Sequence, residues 1–365
     1  MPAVDAGAAR SRPVNAPPAP PLLPIRPLDV SIRLAEPVEV AEGILLVRLP
    51  LPFALDHINV YLIDDEGGWT LVDCGLDTTA SRAAWETVLA SPRVGGRPLR
   101  RIVVTHHHPD HIGLAGWLAP RFDAPLLMTA GERAVAGRYT DPGRDVVSER
   151  MGFWREHGLP VQLGAWLMER MPRYAKQVRG LPADVQALDP AAPFAIGGRR
   201  FRAVIGRGHS PEHLSLFDAA GQVLVGGDQI LPEITPNIGV WPGGDQDPLY
   251  SYLASLQRFA ELEGDPLLLP SHRQPLRGLH ARVEELRHHH DARLQAVIAH
   301  CTEPRTCYEL LDALFGRALR NEELGFGLSE GVAHLNYLQG LGRLRSALGA
   351  DGARRFERVP GQESA

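Results

Sequence analysis

Ile102-Val-Val-Thr-His106-His-His108-Pro-Asp110-His111-Ile-Gly113 is the stretch on which the reading of this chain turns. A short apolar run leads straight into His106, His108, Asp110 and His111, four side chains of metal-ligand quality within six residues. Imidazole nitrogens and carboxylate oxygens suit a borderline divalent ion such as zinc, and ligation needs them to converge from a rigid base. A strand end is such a base, and a turn at Pro109 lets alternate side chains aim at one point. The stretch marks a candidate metal-dependent hydrolase.

One cluster of this kind cannot close two sites, so further ligands are expected downstream. Arg202–Ile205 reads as a strand ending in Gly206-Arg-Gly-His209-Ser-Pro-Glu-His213, with a second strand at Leu214–Phe217. Val223–Val225 runs into Gly226-Gly-Asp228, and Leu267–Leu269 runs into Pro270-Ser-His272. Three times more, an apolar strand delivers a His or Asp to a Gly- or Pro-rich loop at its carboxyl end, the usual place for a site in an α/β sheet.

With Asp73 in Leu71-Val-Asp-Cys-Gly75, this ordered set resembles the metallo-β-lactamase superfamily over roughly Gly43 to His280. The resemblance implies an α/β fold of αββα type, two mixed sheets facing each other with helices outside. It implies one divalent ion on His106, His108 and His209, a second on Asp110, His111 and His272, and Asp228 bridging them. Zinc is favoured by availability and ligand type, with iron or manganese also compatible. Asp73 is expected to orient a ligand rather than bind metal, and His213 to support the site from outside the ligand set. His107 points the other way along the strand and is read as packing. The His288-His-His290 triplet is read as a solvated helix face, because Arg287 and Arg293 flank it in an amphipathic stretch.

The remaining composition is that of an ordinary globular chain of 365 residues, 44% apolar and 22% charged. A net charge of −5 gives no basic field for nucleic acid, and Lys176 is the sole lysine. Three cysteines, Cys74, Cys301 and Cys307, make no disulfide framework and suit a reducing compartment. Residues 1–27 are Ala/Pro-rich without a continuous apolar core, which reads as a disordered tail and neither a signal peptide nor a membrane span. A cytoplasmic location, with no membrane partner, is expected.

A catalytic domain is expected over 28–282. It opens with strands at Gly43–Leu49, His57–Ile63 and Trp69–Asp73, then a helix at Thr78–Leu89 and another beginning at Leu114. Residues 121–182 form an insertion with helices expected at Asp145–His157 and Leu163–Gln177. Its Met and Trp residues suit either an apolar pocket wall or plain packing. Pro232–Pro242 is expected as a rigid loop at the edge of the site. From 283 to 365 the pattern is helix, helix opened by the capping box Thr306-Cys-Tyr-Glu309, a helix bearing Val332, Leu335, Leu338 and Leu341, then two strands around Ala350-Asp-Gly352. This order is similar to the winged-helix appendage of one superfamily branch. Between Arg282 and Val359, eleven arginines meet eleven acidic residues, so a structural role or a homodimer contact is favoured over DNA binding.

The implied mechanism is hydrolysis by a hydroxide held between two ions bridged by Asp228, with Asp110 orienting it or taking its proton. Departures from the pattern of known branches narrow the substrate. The lactamases of drug resistance carry Cys where Asp228 stands, and flavin-linked di-iron members carry Glu where His108 stands. Glyoxalase II binds glutathione through C-terminal basic residues including lysine, and no lysine follows Lys176. The expected substrate is a small, apolar acyl compound, whether thioester, ester or lactone. The alternative is a single-strand-directed endoribonuclease, since a mitochondrial ribonuclease branch shares the C-terminal appendage.

Overall fold

The computed structural model describes residues 22–171, 173–320 and 323–361. Two seven-stranded sheets form its centre. The first takes its strands in chain order: Val38–Ala41, Ile44–Pro50, His57–Asp65, Gly68–Val72, Leu99–Val103, Leu126–Met128 and Gln186–Ala187. Its first three pairings are antiparallel and its last three parallel. The second sheet runs in the order Arg26–Pro27, Leu276–Arg277, Leu267–Pro270, Val223–Gly227, His213–Asp218, Arg199–Gly206 and Phe194–Ile196. Val223–Gly227 and Leu267–Pro270 are its parallel pair.

Many of these strands read as unbroken apolar runs because both of their faces are covered. The two-residue period of a strand then sorts the side chains. Leu45, Val47 and Leu49 pack with Trp85 and Val88 of helix Thr79–Leu89 and Leu118 of helix Ala115–Phe122. Their neighbours Ile44 and Leu46 turn inward and meet Leu216, Val225 and Leu269 of the second sheet. On that sheet Leu224 and Leu268 face outward onto helices Pro248–Ala260 and Leu279–His300. Helix, sheet, sheet, helix is therefore the layering, as the αββα expectation required.

Elsewhere the structure corrects the sequence reading. Arg26 and Pro27 belong to the fold rather than to a tail, pairing with Arg277 and Leu276; residues 1–21 lie outside the described residues. The boundary expected at 282/283 falls inside one continuous helix, Leu279–His300, which packs on the second sheet and carries on into the C-terminal unit. The C-terminal elements follow the expected order: helices Leu279–His300, Cys307–Phe315 and Glu323–Gly340, then strands Leu344–Leu348 and Arg354–Arg358. Leu341 lies beyond its helix and is exposed, so the buried stripe stops at Leu338. In the His triplet His288 is exposed, but His290 is buried against Tyr252 and His334, not solvated.

The insertion contains four helices: Ala130–Thr140, Val146–Glu156, Val161–Arg170 and Tyr174–Gln177. The helix expected over Leu163–Gln177 is thus two, and Ala130–Thr140 adds a further helix to the expected pair. Met151, Trp154, Trp166, Met168 and Met171 pack into the core that contains Leu310, Leu311 and Leu328 of the C-terminal helices. The insertion ties the two parts of the chain together, and Met151 and Trp154 also line a cavity within it.

Leu46 is completely buried where the sheets meet. Leu46→Ala is expected to lower stability by about 2–5 kcal/mol through lost burial and an unfilled cavity. Urea denaturation followed by tryptophan fluorescence measures it, and a loss below about 1 kcal/mol would mean that the inter-sheet core closes over the gap.

Candidate metal centre

The candidate ligands, and Asp73 that supports them, lie where strands from both sheets end along one rim. Asp73 follows Gly68–Val72, His106 follows Leu99–Val103, His209 follows Arg199–Gly206, Asp228 follows Val223–Gly227 and His272 follows Leu267–Pro270. Short bonds pin the sheets together here: Leu214 N donates to Thr105 O at 2.9 Å, and Asn59 N to Ser271 O at 2.6 Å. Tyr61 adds a third, its hydroxyl donating to Pro270 O at 2.7 Å.

Hydrogen bonds on the far side of each ring decide which nitrogen faces the site. His111 Nδ1 donates to Asp73 Oδ2 (2.7 Å), His272 Nδ1 to His57 O (2.8 Å) and His209 Nδ1 to Asn237 O (3.0 Å). The Thr105 hydroxyl donates to Asp73 Oδ2, which leaves its oxygen to accept from His106 Nδ1 at 3.0 Å. Each of these four rings therefore turns its Nε2 inward. His106 Nε2 stands 2.9 Å from His108 Nδ1 and 3.2 Å from His209 Nε2. Asp228 Oδ2 stands 3.4 Å from His111 Nε2 and 3.6 Å from His209 Nε2, and its Oδ1 is 3.4 Å from His272 Nε2. Asp110 Oδ2 lies 3.6 Å from His111 Nε2 and 3.5 Å from His272 Nε2.

These residues fit divalent ions. Donors placed tetrahedrally at about 2.0–2.1 Å from zinc sit about 3.3 Å from one another, the separation that recurs here. His111 Nε2, His272 Nε2 and Asp228 Oδ1 are buried without a hydrogen-bond partner among the described residues, which a cation would satisfy. Among the described residues three sets of donors could hold a metal: His106, His108 and His209; His106, His111 and Asp228; and Asp110, His111 and His272. Burial, reinforced by neighbouring imidazoles, holds His106 and His108 well below the ordinary histidine range. Burial also opposes charge on His272, but Asp228 and Asp110 outweigh it and push this ring up to about 10; His111, beside Asp228, Asp110 and Asp73, is likewise held well above the ordinary histidine range. Protons and a divalent ion thus compete for these two nitrogens.

Asp73 and His213 stand outside the donor sets. Asp73 takes a left-handed backbone, φ 63°, which turns its carboxylate back under the strand ends. There it accepts from His111 Nδ1 and, through Oδ1, from Thr105 N at 2.8 Å. His213, kept neutral by burial at about 3, accepts from Asp228 N at 3.0 Å and so sets the turn that presents Asp228. Gly227 makes that approach possible: its φ is +56°, and a Cβ there would lie 2.5 Å from the His213 ring.

Two residues at the site carried no signal in the sequence, because their partners are far away in the chain. Glu132, fully buried on helix Ala130–Thr140, accepts from the ring and backbone of His107 at 2.6 and 3.0 Å. It also accepts from Ser210 Oγ at 2.7 Å and Glu212 N at 2.8 Å, which clamps both His-bearing loops together. His107 is therefore a hydrogen-bonded anchor and not simple packing, and Tyr174 donates to its carbonyl at 2.6 Å. Asn237, in the loop expected at the site edge, receives the His209 bond.

A model of the metallo-beta-lactamase superfamily matches residues 54–272, which contain every ligand candidate. The chain belongs to the metallo-β-lactamase superfamily. A second model, the C-terminal domain of metallo-beta-lactamase-like proteins, matches residues 294–359. Among solved structures, the superfamily members similar to this chain include a beta-lactamase domain protein from Burkholderia ambifaria. It is 37% identical, with TM-score 0.84 over 91% of this chain and 96% of that one. A metallo-beta-lactamase family protein from Thermus thermophilus is 30% identical, with TM-score 0.77 over 88% of this chain and 100% of that one. Bacillus subtilis (strain 168) has a similar protein named probable metallo-hydrolase YqjP, 28% identical over 82% of this chain and 92% of its own length. With its His/Asp cluster, the chain is a metal-dependent hydrolase of this superfamily.

Burial alone would raise the carboxyl of Glu132, but His107, Ser210 and Glu212 hold it down at about 2, below the ordinary value of about 4.3. A carboxylate depressed by folding adds stability that is complete above about pH 4.3 and is lost as the pH falls toward its folded value. Urea unfolding between pH 5 and pH 2.5 should therefore show a steeper acid loss in the wild type than in Glu132→Gln. Parallel acid profiles would show that Glu132 contributes no acid-sensitive stability.

Proposed function

We propose that the chain is a cytoplasmic, binuclear hydrolase that cleaves the acyl bond of a small apolar thioester, ester or lactone. The observation that carries the choice of substrate is how four arginines of the insertion and the His209 loop are used. Arg138 donates to Gly243 O, and Arg144 to Pro242 O at 3.2 Å and to Glu149 at 2.9 Å. Arg207 donates to Pro211 O at 3.0 Å and pairs with Glu212. Arg150 lies over the Trp241 ring at 6.0 Å, and Trp241 meets the half-exposed Phe326 edge-on at 5.7 Å. Guanidinium groups bonded to the protein's own carbonyls offer little to a phosphodiester backbone, whereas partly exposed aromatic rings suit contact with an acyl chain.

In this reading His106, His108 and His209 would hold one zinc ion and Asp110, His111 and His272 a second, with Asp228 reaching both. Bound divalent ions supply Lewis acidity and lower the pKa of water at neutral pH. Asp110, its side chain 20% exposed against 9% for Asp228, is the more open of the two ligand carboxylates. With one carboxylate oxygen toward the ion, its other oxygen would accept a proton from attacking water. Asp73 and Asn237 keep the His111 and His209 rings turned so that their Nε2 lone pairs stay directed into the site. We read the C-terminal helices and hairpin as a winged-helix-like support for this site rather than a nucleic-acid reader.

Elemental analysis of protein purified without chelator should give close to two equivalents of metal. Asp228→Ala should lose at least one of them and most activity while keeping its fold, and His213→Ala should lose less. Activity that survives full chelation would sink the metal reading.

A panel of acyl-thioesters, esters, lactones and single-stranded RNA tests the substrate. Hydrolysis of a medium-sized acyl substrate with little dependence on salt is expected. Efficient, salt-sensitive cleavage of RNA beside inert acyl compounds would install the ribonuclease reading instead.

A further inference from the structure

We infer that Glu330, on the C-terminal helix Glu323–Gly340, is a positioning residue for the metal ligand His209 and acts on it through Asn237. This rests on the metal reading above and extends it to a part of the chain that supplies no ligand. His209 Nδ1 donates to Asn237 O at 3.0 Å, so the direction of this ring depends on where Asn237 is held. Asn237 lies between strand Val223–Gly227 and helix Pro248–Ala260, in a stretch with no helix or strand of its own. Something outside the loop must fix it.

The C-terminal helix does so. Asn237 Nδ2 donates to Glu330 Oε2 at 3.1 Å, and close by Val240 N donates to Ser329 O at 3.0 Å. Gly239 fits so closely that a Cβ would lie 2.4 Å from Ser329 Oγ. Glu330 is only 6% exposed, and its other oxygen accepts from Arg293 on helix Leu279–His300. Arg293 in turn lies 4.7 Å over the ring of Phe315. Burial pushes the Glu330 carboxyl above the usual range, against the pull of Arg293 and Asn237.

A buried ion pair of this kind is a poor source of stability, because desolvation offsets its attraction. It does make a stiff bracket. One carboxylate grips the Asn237 amide on one side and a cation from a second helix on the other, so three linked hydrogen bonds run from Arg293 to the His209 ring. Partners that orient a metal-bound histidine commonly affect metal affinity by about 10–100-fold when removed. The C-terminal unit is then part of the metal centre in an energetic sense.

The test is cobalt(II) titration of the chelator-stripped full chain, read by visible absorption with a competing chelator. The wild type is expected to bind two equivalents. Asn237→Ala keeps the backbone carbonyl but cuts the link to Glu330, and Glu330→Ala cuts it from the other side. Each should weaken one equivalent by about 10–100-fold and leave the other unchanged. The double variant should be no weaker than the worse single one, since both break the same chain. Wild-type affinity in the single variants, or additive losses in the double one, would overturn the inference while the two-metal reading stood. A wild type that binds no cobalt would sink both. If Glu330→Ala fails to fold, Asn237→Ala in its partly exposed loop decides alone, with wild-type affinity overturning the inference.

Discussion

Nitrogen and oxygen lone pairs held about 3.3 Å apart repel one another unless a cation stands between them. That constraint governs the architecture around the site. The donors come from both sheets, so the sheets must be registered at the rim to within a few tenths of an ångström. The bonds from Leu214 to Thr105, Asn59 to Ser271 and Tyr61 to Pro270 provide that registration where it is needed. The inter-sheet core of Leu46, Leu216 and Val225 holds the faces together but sets no such fine spacing. Apolar contact is non-directional, whereas hydrogen bonds fix positions.

A second layer aims the rings. Asp73, Thr105, His57 and Asn237 each hold the outward nitrogen of a histidine, and Glu132 clamps the two loops from which His106, His108 and His209 project. These groups come from every part of the chain, including the insertion and the loop fastened to the C-terminal helix. The helix Leu279–His300 runs from the second sheet into the C-terminal unit, so the two parts share one packed core.

The ligand candidates and the strands carrying them were legible because each is a local pattern: an apolar run of strand length that ends in Gly or Pro beside a His or Asp. Local chemistry also revealed the Thr306 capping box, whose two reciprocal bonds are both present. What stayed hidden is long-range. Glu132 looks like any acidic residue in the first turn of a helix, and only folding brings His107 and Ser210, 25 and 78 residues away, to its oxygens. The Met- and Trp-bearing helices of the insertion were ambiguous for the same reason, since periodicity reports an apolar face but not what covers it. His290 failed differently: flanking arginines suggested a wet face, yet a helix turns about 100° per residue, which sets positions two apart on nearly opposite sides. His288 and His290 accordingly meet opposite fates.

The short strand Arg26–Pro27 has a meaning beyond the site. Among the described residues it forms the outer edge of the second sheet, beside Leu276–Arg277, and is reinforced by Leu28 N donating to Pro275 O at 2.7 Å and by the Arg26–Asp265 pair. An uncovered strand edge is a template for sticking to another copy of the same chain, and proline, which lacks an N–H, cannot extend a ladder. Two residues and one missing hydrogen thus act as a stopper. Chains shortened past Leu28 would bare Leu276–Arg277, and their first failure would be self-association rather than loss of the metal site.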